Sequence, residues 1–382
     1  METREVAIVE YARTPFGKAN KGKLKDTRPD DMAAHAIEAV LDQTSGVEPG
    51  DVEDVVLGCA FPEAEQGMNV ARIASQLAGL PDDVPAMTMN RFCSSGVQTI
   101  STASKRIATG EIDVAIAGGT ESMSMVPMSG NTPSQNPKLM EEKPEVYISM
   151  GNTAENVAER FDISRERQDE FAYRSHMNAV EARERGFFEG EIVPLETSVV
   201  DENGERQSVT VDHDENVRPD TNLDTLSSLP PSFADDGTVT PGNASPLTDG
   251  AGAVVLMAAD KADELGLEPM GYFRELQVAG VPPEIMGIGP DSTGKSIEDI
   301  DLVELNEAFA SQSVYCAEEL GIELDKLNVN GAAIAIGHPL GVSGTRMAGT
   351  ILRALEEEGG RFGIVTMCVG GGMGAAALVE RA

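Results

Sequence analysis

The amino-acid sequence predicts an α/β protein in which one βαβαβ unit occurs twice. Short apolar runs alternate with amphipathic helical patterns near both ends of the chain. The spacing inside the two copies agrees, with 41 residues from Asp54 to Ser95 and 42 residues from Asp301 to Ser343. Alternating strands and helices favour a parallel sheet with helices on its faces, so we expect a duplicated, mainly parallel-sheet fold.

The elements follow from apolar runs and helical periodicity. The first copy is predicted to contain a strand in DVEDVVLGCAF, a helix in GMNVARIASQLAGL, a strand in VPAMTMN, a helix in SSGVQTISTASKRIATG and a strand in DVAIAGG. The second copy is predicted to contain a strand in DLVEL, a helix in ASQSVYCAEELGI, a helix in VSGTRMAGTILRALEEEGG and a strand in FGIVTMCV. A further helix over 30–41 is predicted to cover the first copy.

A segment of different composition lies between the copies. Residues 121–249 are rich in Met, Pro, Asn and Ser and contain two helical patterns, 153–161 and 164–186. An insert of this length in a compact fold is usually functional. The apolar run 249–259 is predicted to return to the first copy as a buried strand. We therefore predict three units: residues 1–120 with 249–268, the insert 121–248, and residues 269–382.

The charge excludes one class of partner. The 382 residues include 64 Asp and Glu against 29 Lys and Arg, giving a net charge of −35 that is spread along the chain. Nucleic-acid binding is disfavoured, because no basic stripe is present to neutralise phosphates. A diffuse acidic surface poor in Lys is typical of proteins from salt-loving organisms, where salt screens the repulsion. An ordinary acidic enzyme is the alternative interpretation.

Cysteine usage and hydropathy indicate a cytoplasmic protein. The four cysteines (59, 93, 316 and 368) are widely spaced, and the charged N-terminal stretch predicts a strand and not a signal peptide. The longest apolar run has nine residues, which is too short to span a membrane. The closest Cys–His separation is 22 residues, so no zinc site is expected, and the glycine loop at 370–375 lacks the helix and acid of a dinucleotide site.

Four polar residues lie where ligands collect in such folds. Cys93 is predicted at a strand-to-helix junction, where a helix N-terminus lowers a thiol pKa, and His338 precedes the corresponding helix of the second copy. Asn306 and Cys368 follow strands of the second copy, at the carboxyl edge of the sheet. A cysteine, a base, a second thiol and an amide suit covalent acyl chemistry. A lone cysteine is more often a small buried side chain, the interpretation we keep for Cys59 and Cys316.

Seven motifs, in order, resemble the thiolase family over residues 5–380. They are NRFCSSGVQTI, GGTESMS, SMGNTAENVAERFDISRERQDEFA, TVTPGNASPLTDGA, DLVELNEAFA, NVNGAAIAIGHPLGVSGTR and MCVGGGMGAA. The resemblance implies two βαβαβ halves packed in αβαβα layers, with the insert as a loop domain that binds coenzyme A and contributes oligomer contacts. It implies a homodimer or homotetramer that cleaves 3-ketoacyl-CoA with coenzyme A, or condenses two acetyl-CoA in reverse, without a metal or other cofactor.

The resemblance also implies a role for individual residues. Cys93 would carry the acyl group, His338 would activate it, Cys368 would be the second acid/base, and Asn306 with His338 would hold a water in one oxyanion hole. The amides of Cys93 and Gly370 would form the other oxyanion hole. The substrate-binding residues implied are Ser245 for the pantetheine, Met150, Phe233 and Phe309 along the channel, and Arg218 at the nucleotide end. Positive charge near Arg218 or the lysines at 18–25 is expected to help hold an anionic substrate.

Three departures from the family pattern stand out. Ser149 precedes Met150 where members usually have His or Pro, so the preferred acyl length stays open. Ala332 replaces a usual glycine, with little expected consequence. Residues 286–304 are too few for a helix that the family has there, so we expect a neighbouring subunit or a rearranged loop to cover that face. A ketoacyl synthase or hydroxymethylglutaryl-CoA synthase relative, and a catalytically impaired or partner-dependent thiolase-like subunit, are the alternatives.

Overall fold

The chain folds into one large mixed sheet with helices on both sides. A computed structural model describes residues 3–200, 203–286 and 297–382. Its strands are β1 Val6–Arg13, β2 Gly17–Lys18, β3 Asp54–Gly58, β4 Ala86–Met89, β5 Val114–Ser122, β6 Leu195–Val200, β7 Arg206–Val211, β8 Thr248–Ala258, β9 Gly271–Gly280, β10 Leu302–Leu305, β11 Phe362–Val369 and β12 Met373–Arg381.

Seven of the eleven α-helices in the described residues match predicted helical patterns, and the four that were not predicted are the short ones at 137–142, 223–227, 259–265 and 333–336. The helices are α1 Pro29–Gln43, α2 Val70–Leu77, α3 Ser95–Ala108, α4 Pro137–Glu142, α5 Met150–Arg160, α6 Arg165–Glu184, α7 Leu223–Ser227, α8 Ala259–Leu265, α9 Ala310–Glu319, α10 Ala333–Ile336 and α11 Ser343–Glu358. Proline in the first turn opens α1 and α4. Side chains of Asn69, Ser149 and Ser164 cap α2, α5 and α6 by accepting a backbone N–H.

The sheet contains both parallel and antiparallel strand pairs, whereas a mainly parallel sheet was predicted. The strands run β10-β11-β12-β9-β1-β8-β5-β3-β4, and the two halves join where β1 pairs with β9. Parallel pairing is limited to β3–β4, β3–β5 and β10–β11, while the other pairs, including β1–β8 and β9–β12, are antiparallel. The prediction of a mainly parallel sheet is therefore wrong. Strand β12 follows β11 after a short turn, and β8 follows the long insert. Both connections allow the strand to pair antiparallel to its neighbour.

The helices complete the predicted layers. Apolar residues of α3 and α11, such as Ile100 and Ile351, form one core between the two halves of the sheet. Helices α1 and α2 cover the outer face of the first half. Helices α6 and α9 cover that of the second half. Helices α3 and α11 approach closely, because a Cβ on Gly96 would lie 2.5 Å from the backbone nitrogen of Thr345.

The two copies are not identical. The first copy has the strand β4, but at the corresponding place in the second copy Leu327 forms only an isolated parallel bridge with Val303. The side chain of Asn328 takes over part of the ladder, accepting from the Leu305 N–H at 2.8 Å and donating to the Leu305 carbonyl at 2.9 Å. Asn328 has φ of 48°, a conformation that asparagine tolerates better than most residues.

The segment between β5 and β8 is tied to the sheet by a buried ion network. Arg13, fully buried on β1, donates to Asp214 at 2.7 and 2.8 Å and to Glu191 at 2.8 Å. Burial disfavours the charged guanidinium, but the carboxylates of Asp214 and Glu191 outweigh this effect and raise the pKa of Arg13 well above its ordinary value. A buried guanidinium needs such partners, so the network fixes the insert against β1. No helix among the described residues is long and apolar enough to cross a membrane.

The predicted loss of a helix within 286–304 concerns mostly residues 287–296, which lie outside the described residues. The flanking Ile300 is buried beside Val303 and Leu305.

Candidate active site

Cys93 lies at the junction of a strand and a helix, as predicted. Strand β4 ends at Met89, a 3₁₀ turn spans Phe92–Ser94, and α3 begins at Ser95. Phe92 has φ of 44°, in the left-handed region that costs a bulky residue energy. The strained turn holds Cys93 at the end of α3, where its side chain is buried beside Ala60, Met123 and Leu340.

The protonation of Cys93 differs from the prediction. The backbone N–H groups of Gly370 and of Cys93 itself hydrogen-bond the sulfur and favour the thiolate, but burial outweighs them and raises the pKa of Cys93 to about 12. The expectation that the helix N-terminus lowers this pKa below its ordinary value is therefore wrong for the resting protein. Cys93 rests as a thiol, and the two amides already converge on its sulfur.

His338 lies in a turn that two other elements hold in place. Its backbone N–H donates to the hydroxyl of Thr248 at 3.1 Å, at the start of β8. The N–H of Gly341 donates to the carboxylate of Glu121 at 2.9 Å, at the end of β5. Leu340 of the same turn packs in the cluster that contains Cys93. The turns before α3 and α11 therefore meet in one cluster.

The imidazole of His338 has a polar neighbour on each nitrogen. The side-chain nitrogen of Asn306 lies 3.2 Å from Nε2, and the hydroxyl of Ser343 lies 2.5 Å from Nδ1. Burial, with a smaller effect from the charge of Arg346, lowers the pKa of His338 to about 3. The ring is therefore neutral in neutral solution and can accept a proton.

Cys368 faces the same space from β11. It is buried beside Ala308 and Met286, with Met150 and Phe309 packed against them. Burial, and then the neighbouring Cys93 sulfur, raise the pKa of Cys368 well above its ordinary value. Gly370, whose N–H hydrogen-bonds the Cys93 sulfur, lies two residues after Cys368, so the two thiols belong to one site, and burial favours the neutral form of both.

Four of the five predicted substrate-binding residues come together around Cys368. Ser245 donates to the Ala308 carbonyl through its backbone N–H at 3.0 Å and through its hydroxyl at 3.1 Å. The rings of Phe233 and Phe309 meet edge to face with centroids 6.1 Å apart, and Phe233 is 42% exposed. Together with Met150, which packs against the Cys368 cluster, they form one apolar wall that reaches the surface.

Arg218 lies elsewhere. No hydrogen bond, ion pair or ring contact among the residues that the structure describes joins Arg218 to those four. Its backbone N–H donates to Nδ1 of the buried His176 at 3.4 Å. Burial, followed by the charges of Arg218 and Lys21, lowers the pKa of Lys18. Arg218, Lys18 and Lys21 therefore form a small basic patch, beside which the carboxylate of Glu215 accepts from the Lys18 N–H at 3.1 Å.

Glu121, within the motif GGTESMS, was not among the residues predicted for the site. This buried carboxylate accepts from Ala60 N–H at 2.7 Å, Gln66 at 2.6 Å and Gly341 N–H at 2.9 Å, and burial raises its pKa. Glu121 thus ties the first half to the turn that carries His338. An acid near the end of a buried strand, β5, was the available signal. The Sγ of Cys59 also lies 3.8 Å from Glu121, and Cys59 and Cys316 are buried, as predicted.

Glycines allow the two halves to meet at this point. A Cβ on Gly119 would lie 2.0 Å from the Gly341 carbonyl oxygen, and one on Gly58 would lie 2.8 Å from it. A side chain at Gly58 or Gly119 would displace the turn that carries His338. The described residues contain no group of three or more His, Cys, Asp or Glu side chains that could hold a metal ion.

This combination of a duplicated α/β fold and two thiols beside a buried histidine defines a class of acyl-transfer enzymes. Residues 6–260 match the thiolase N-terminal domain and residues 267–381 the thiolase C-terminal domain. The chain is 51% identical to 3-ketoacyl-CoA thiolase of Bacillus subtilis, over 99% of both chains. It is 45% identical to peroxisomal 3-ketoacyl-CoA thiolase A of Mus musculus, over 98% of this chain and 91% of that one.

Solved structures agree. Acetyl-CoA acetyltransferase of Bacillus anthracis superposes with a TM-score of 0.90 at 38% identity, and human mitochondrial 3-ketoacyl-CoA thiolase with 0.90 at 36%, each over 100% of both chains. The chain therefore belongs to the thiolase family. It is an acyltransferase with the thiolase fold, and the synthase relatives considered from the sequence are excluded.

Proposed function

We propose that this thiolase cleaves 3-ketoacyl-CoA with coenzyme A through an acyl-Cys93 intermediate. The observation that carries the proposal is the meeting of Cys93, His338, Asn306 and Cys368, with the Gly370 amide on the Cys93 sulfur. The names of the two relatives at 51% and 45% identity support the cleavage direction. The reverse condensation of two acetyl-CoA uses the same groups, since each step is reversible.

The first half-reaction acylates Cys93. His338 Nε2 takes the Cys93 proton as the sulfur attacks the 3-keto carbon, and the amides of Cys93 and Gly370 stabilise the developing oxyanion. The bond between C2 and C3 then breaks. The enolate of acetyl-CoA is held through a water by Asn306 and His338 and takes a proton from Cys368. Acetyl-CoA leaves, with the acyl group on Cys93, an imidazolium at His338 and a thiolate at Cys368.

The second half-reaction restores the site. Coenzyme A gives its thiol proton to the Cys368 thiolate, and its sulfur attacks the acyl carbon. Cys93 leaves as a thiolate and recovers its proton from His338. Both thiols and the neutral imidazole are then as they began. No metal or other cofactor takes part in this scheme, since the coenzyme A thioesters are substrates.

The substrate would lie along the wall formed by Met150, Phe233, Phe309 and Ser245. Residues 121–248, inserted between the two thiolase halves, would bind its coenzyme A part. The basic patch of Arg218 and Lys18 is placed to attract the nucleotide phosphates, because it is a local exception on an acidic chain. Acyl length stays open. Ser149 accepts from the Asn152 N–H at 3.3 Å and caps α5, which gives this departure a local structural reason.

We also propose a cytoplasmic homodimer or homotetramer. The four cysteines are free, and a catalytic thiol needs a reducing compartment. Strand β4 ends the sheet with an unpaired edge, and Met87 on it and Met68 beside α2 are 39% and 93% exposed. An open edge beside exposed apolar side chains favours pairing with a second copy.

The roles of the two thiols are tested by acyl labelling. Wild-type protein incubated with acetyl-CoA labelled in its acetyl group should carry one label on the peptide that contains NRFCSSG. Cys93→Ser should lose the label, whereas Cys368→Ser should still accept it but turn over at least about a hundredfold more slowly. Label on Cys368, or full turnover by Cys368→Ser, would show the roles to be wrong. A wild-type protein that takes no label would indicate the impaired subunit considered from the sequence.

A comparison of substrates addresses acyl length. Thiolysis of acetoacetyl-CoA and of ketoacyl-CoA with a chain of six to ten carbons, measured in high salt, gives the ratio of kcat/KM directly. A preference for acetoacetyl-CoA of tenfold or more would indicate a short-chain enzyme, and the opposite preference would indicate a longer-chain one.

A further inference from the structure

We infer that Ser343 is a positioning residue of the thiolase reaction: its hydroxyl fixes the tautomer of His338 that leaves Nε2 as the basic nitrogen. The inference rests on the proposed function, in which Nε2 takes the Cys93 proton. Ser343 touches no substrate in that scheme and would act only through His338. It lies at the first position of α11 and is buried, with 1% exposure.

The hydroxyl of Ser343 has one proton and two neighbours. Its oxygen lies 2.5 Å from His338 Nδ1 and 3.1 Å from the Pro339 carbonyl oxygen. A carbonyl oxygen can only accept, so the hydroxyl donates to Pro339. Nδ1 must then carry a hydrogen and donate it to the Ser343 oxygen. This tautomer leaves the lone pair on Nε2.

The other face of the ring requires the same tautomer. The side-chain nitrogen of Asn306 lies 3.2 Å from Nε2. In this orientation of the amide, its NH₂ group donates and its Oδ1 has no partner among the described residues, so Nε2 accepts. If the hydrogen were on Nε2 instead, two donors would face each other between fully or nearly fully buried groups. Asn306 is 0% and His338 4% exposed, and an unmatched donor at such depth is costly.

The duplication shows what is special about Ser343. Ser95, the corresponding residue at the start of α3, accepts from the Arg91 N–H at 2.8 Å and donates to the Phe92 carbonyl at 2.6 Å. Both serines therefore brace the turn before their helix. In the second half, the partner that donates to the Ser343 hydroxyl is the imidazole of His338 and not a backbone N–H. The same hydrogen-bond pattern therefore also decides which ring nitrogen of His338 carries the hydrogen.

The tautomer can be read in the unaltered protein. In protein labelled with ¹⁵N-histidine, the His338 resonances, assigned as those absent from His338→Gln, should be pyrrole-type for Nδ1 and pyridine-type for Nε2 at neutral pH. A protonated Nε2 in the wild type would overturn the inference without any variant having to fold.

Ser343→Ala tests the catalytic consequence. Without an acceptor for Nδ1–H, the population with a basic Nε2 should fall, and kcat and the rate of Cys93 acylation should both drop about tenfold to hundredfold. KM should stay within about twofold, since no substrate contact changes. In the variant the His338 resonances should shift toward the other tautomer.

Thr345→Val is the matched control. Thr345 lies two residues further along α11, is fully buried, and its hydroxyl has no partner among the described residues. Its loss should leave kcat and the His338 resonances unchanged within about twofold. A Ser343→Ala kcat within threefold of wild type, or an equal loss in Thr345→Val, would overturn the inference. Failure of the acyl labelling of Cys93 would instead remove the proposed function, so the two failures are distinguishable.

Discussion

At the scale of single residues, burial decides the protonation of the site. The amides that converge on Cys93 favour its thiolate, yet desolvation raises its pKa to about 12. Desolvation acts oppositely on His338 and lowers its pKa to about 3. The resting pair is therefore thiol and neutral imidazole. Charge would develop only during attack, where the amides are already in place to stabilise it.

This pairing predicts a flat pH profile. Both partners are in the reactive state between a pKa of about 3 and one of about 12, so the rate of Cys93 acylation should change less than about threefold from pH 5 to 9. Rapid-quench measurement of acylation by labelled acetyl-CoA gives this rate.

His338→Ala provides the contrast for that profile. Without the base only the thiolate fraction of Cys93 reacts, and that fraction rises tenfold per pH unit below its pKa. The acylation rate should therefore rise by about one decade per pH unit. A wild-type profile that changes slope at about pH 6.5 would instead show a base with an ordinary pKa, and one that changes slope at about pH 8.5 would show a thiol with an ordinary pKa.

The sequence could predict where the site residues lie but not how they ionise. Cys93 and His338 precede helices, Asn306 follows β10, and Cys368 lies near the end of β11. Such positions are visible in apolar periodicity. The protonation states depend on how completely other elements cover them, and on Arg346, whose contribution to His338 follows only from packing. Glu121 was missed because its partners, Ala60 and Gly341, are 61 and 220 residues away in the chain.

At the scale of elements, the site is built where the ends of β3 and β5 touch the turn before α11. Gly58 is the last residue of β3, Gly119 lies within β5, and Gly341 belongs to the turn. Backbone therefore contacts backbone, with Glu121 and Thr248 supplying hydrogen bonds to the turn. Because these contacts join backbone to backbone, no flexible side chain can move aside if an atom is added there.

Gly119→Ala should separate these elements. The added Cβ would meet the Gly341 carbonyl oxygen at 2.0 Å, which no flexible side chain can relieve. We expect a loss of stability of about 2–4 kcal/mol and a fall in kcat of at least about tenfold, because the His338 turn must move. Denaturant unfolding and steady-state thiolysis measure the two effects.

Gly50→Ala is the control for that substitution. The nearest atom to a Cβ at Gly50 is 4.0 Å away, in Pro81, so neither stability nor kcat should change appreciably. Equal behaviour of the two variants would mean that the close approach of β5 and the turn does not constrain the site.

The sequence predicted most elements because their apolar periodicity is strong. It did not reveal that the second copy replaces a strand with the Val303–Leu327 bridge and the Asn328 side chain. Nor did it reveal the antiparallel majority of strand pairs, because pairing direction depends on how the insert returns β8 to the sheet. The network of Arg13, Asp214 and Glu191 joins residues about 200 positions apart, beyond any local pattern.

At the scale of the whole molecule, the sheet ends at β4 and β10, and the two edges differ. All four residues of β10 are buried, and Val303 already bridges to Leu327. Strand β4 is only partly buried. An exposed edge of this kind is a template for pairing with another strand, so β4 is the expected subunit contact.

Substitution at this edge should separate the subunits. Replacing both Met68 and Met87 with Asp places charges on the exposed apolar positions, and light scattering should show a shift from dimer or tetramer toward monomer. Leu324→Asp, at another position that is 51% exposed, should leave the assembly unchanged. A wild-type protein that is monomeric and fully active would contradict the proposal.

The last prediction concerns the net charge of −35. Self-repulsion of distributed acidic groups destabilises the folded chain at low salt and is screened as salt rises. We expect the melting temperature to rise by about 5 °C or more between 0.1 and 2 M KCl, with activity rising in parallel.

Helix α11 shows the effect locally, because it ends in Glu356, Glu357 and Glu358 with no basic residue in its last turn. Carboxylates at a helix C-terminus oppose the helix dipole. Glu356→Lys with Glu358→Lys should therefore raise the melting temperature at 0.1 M KCl and leave it nearly unchanged at 2 M. A wild-type melting temperature that is flat or falls over this range would favour the ordinary acidic enzyme over the halophilic one.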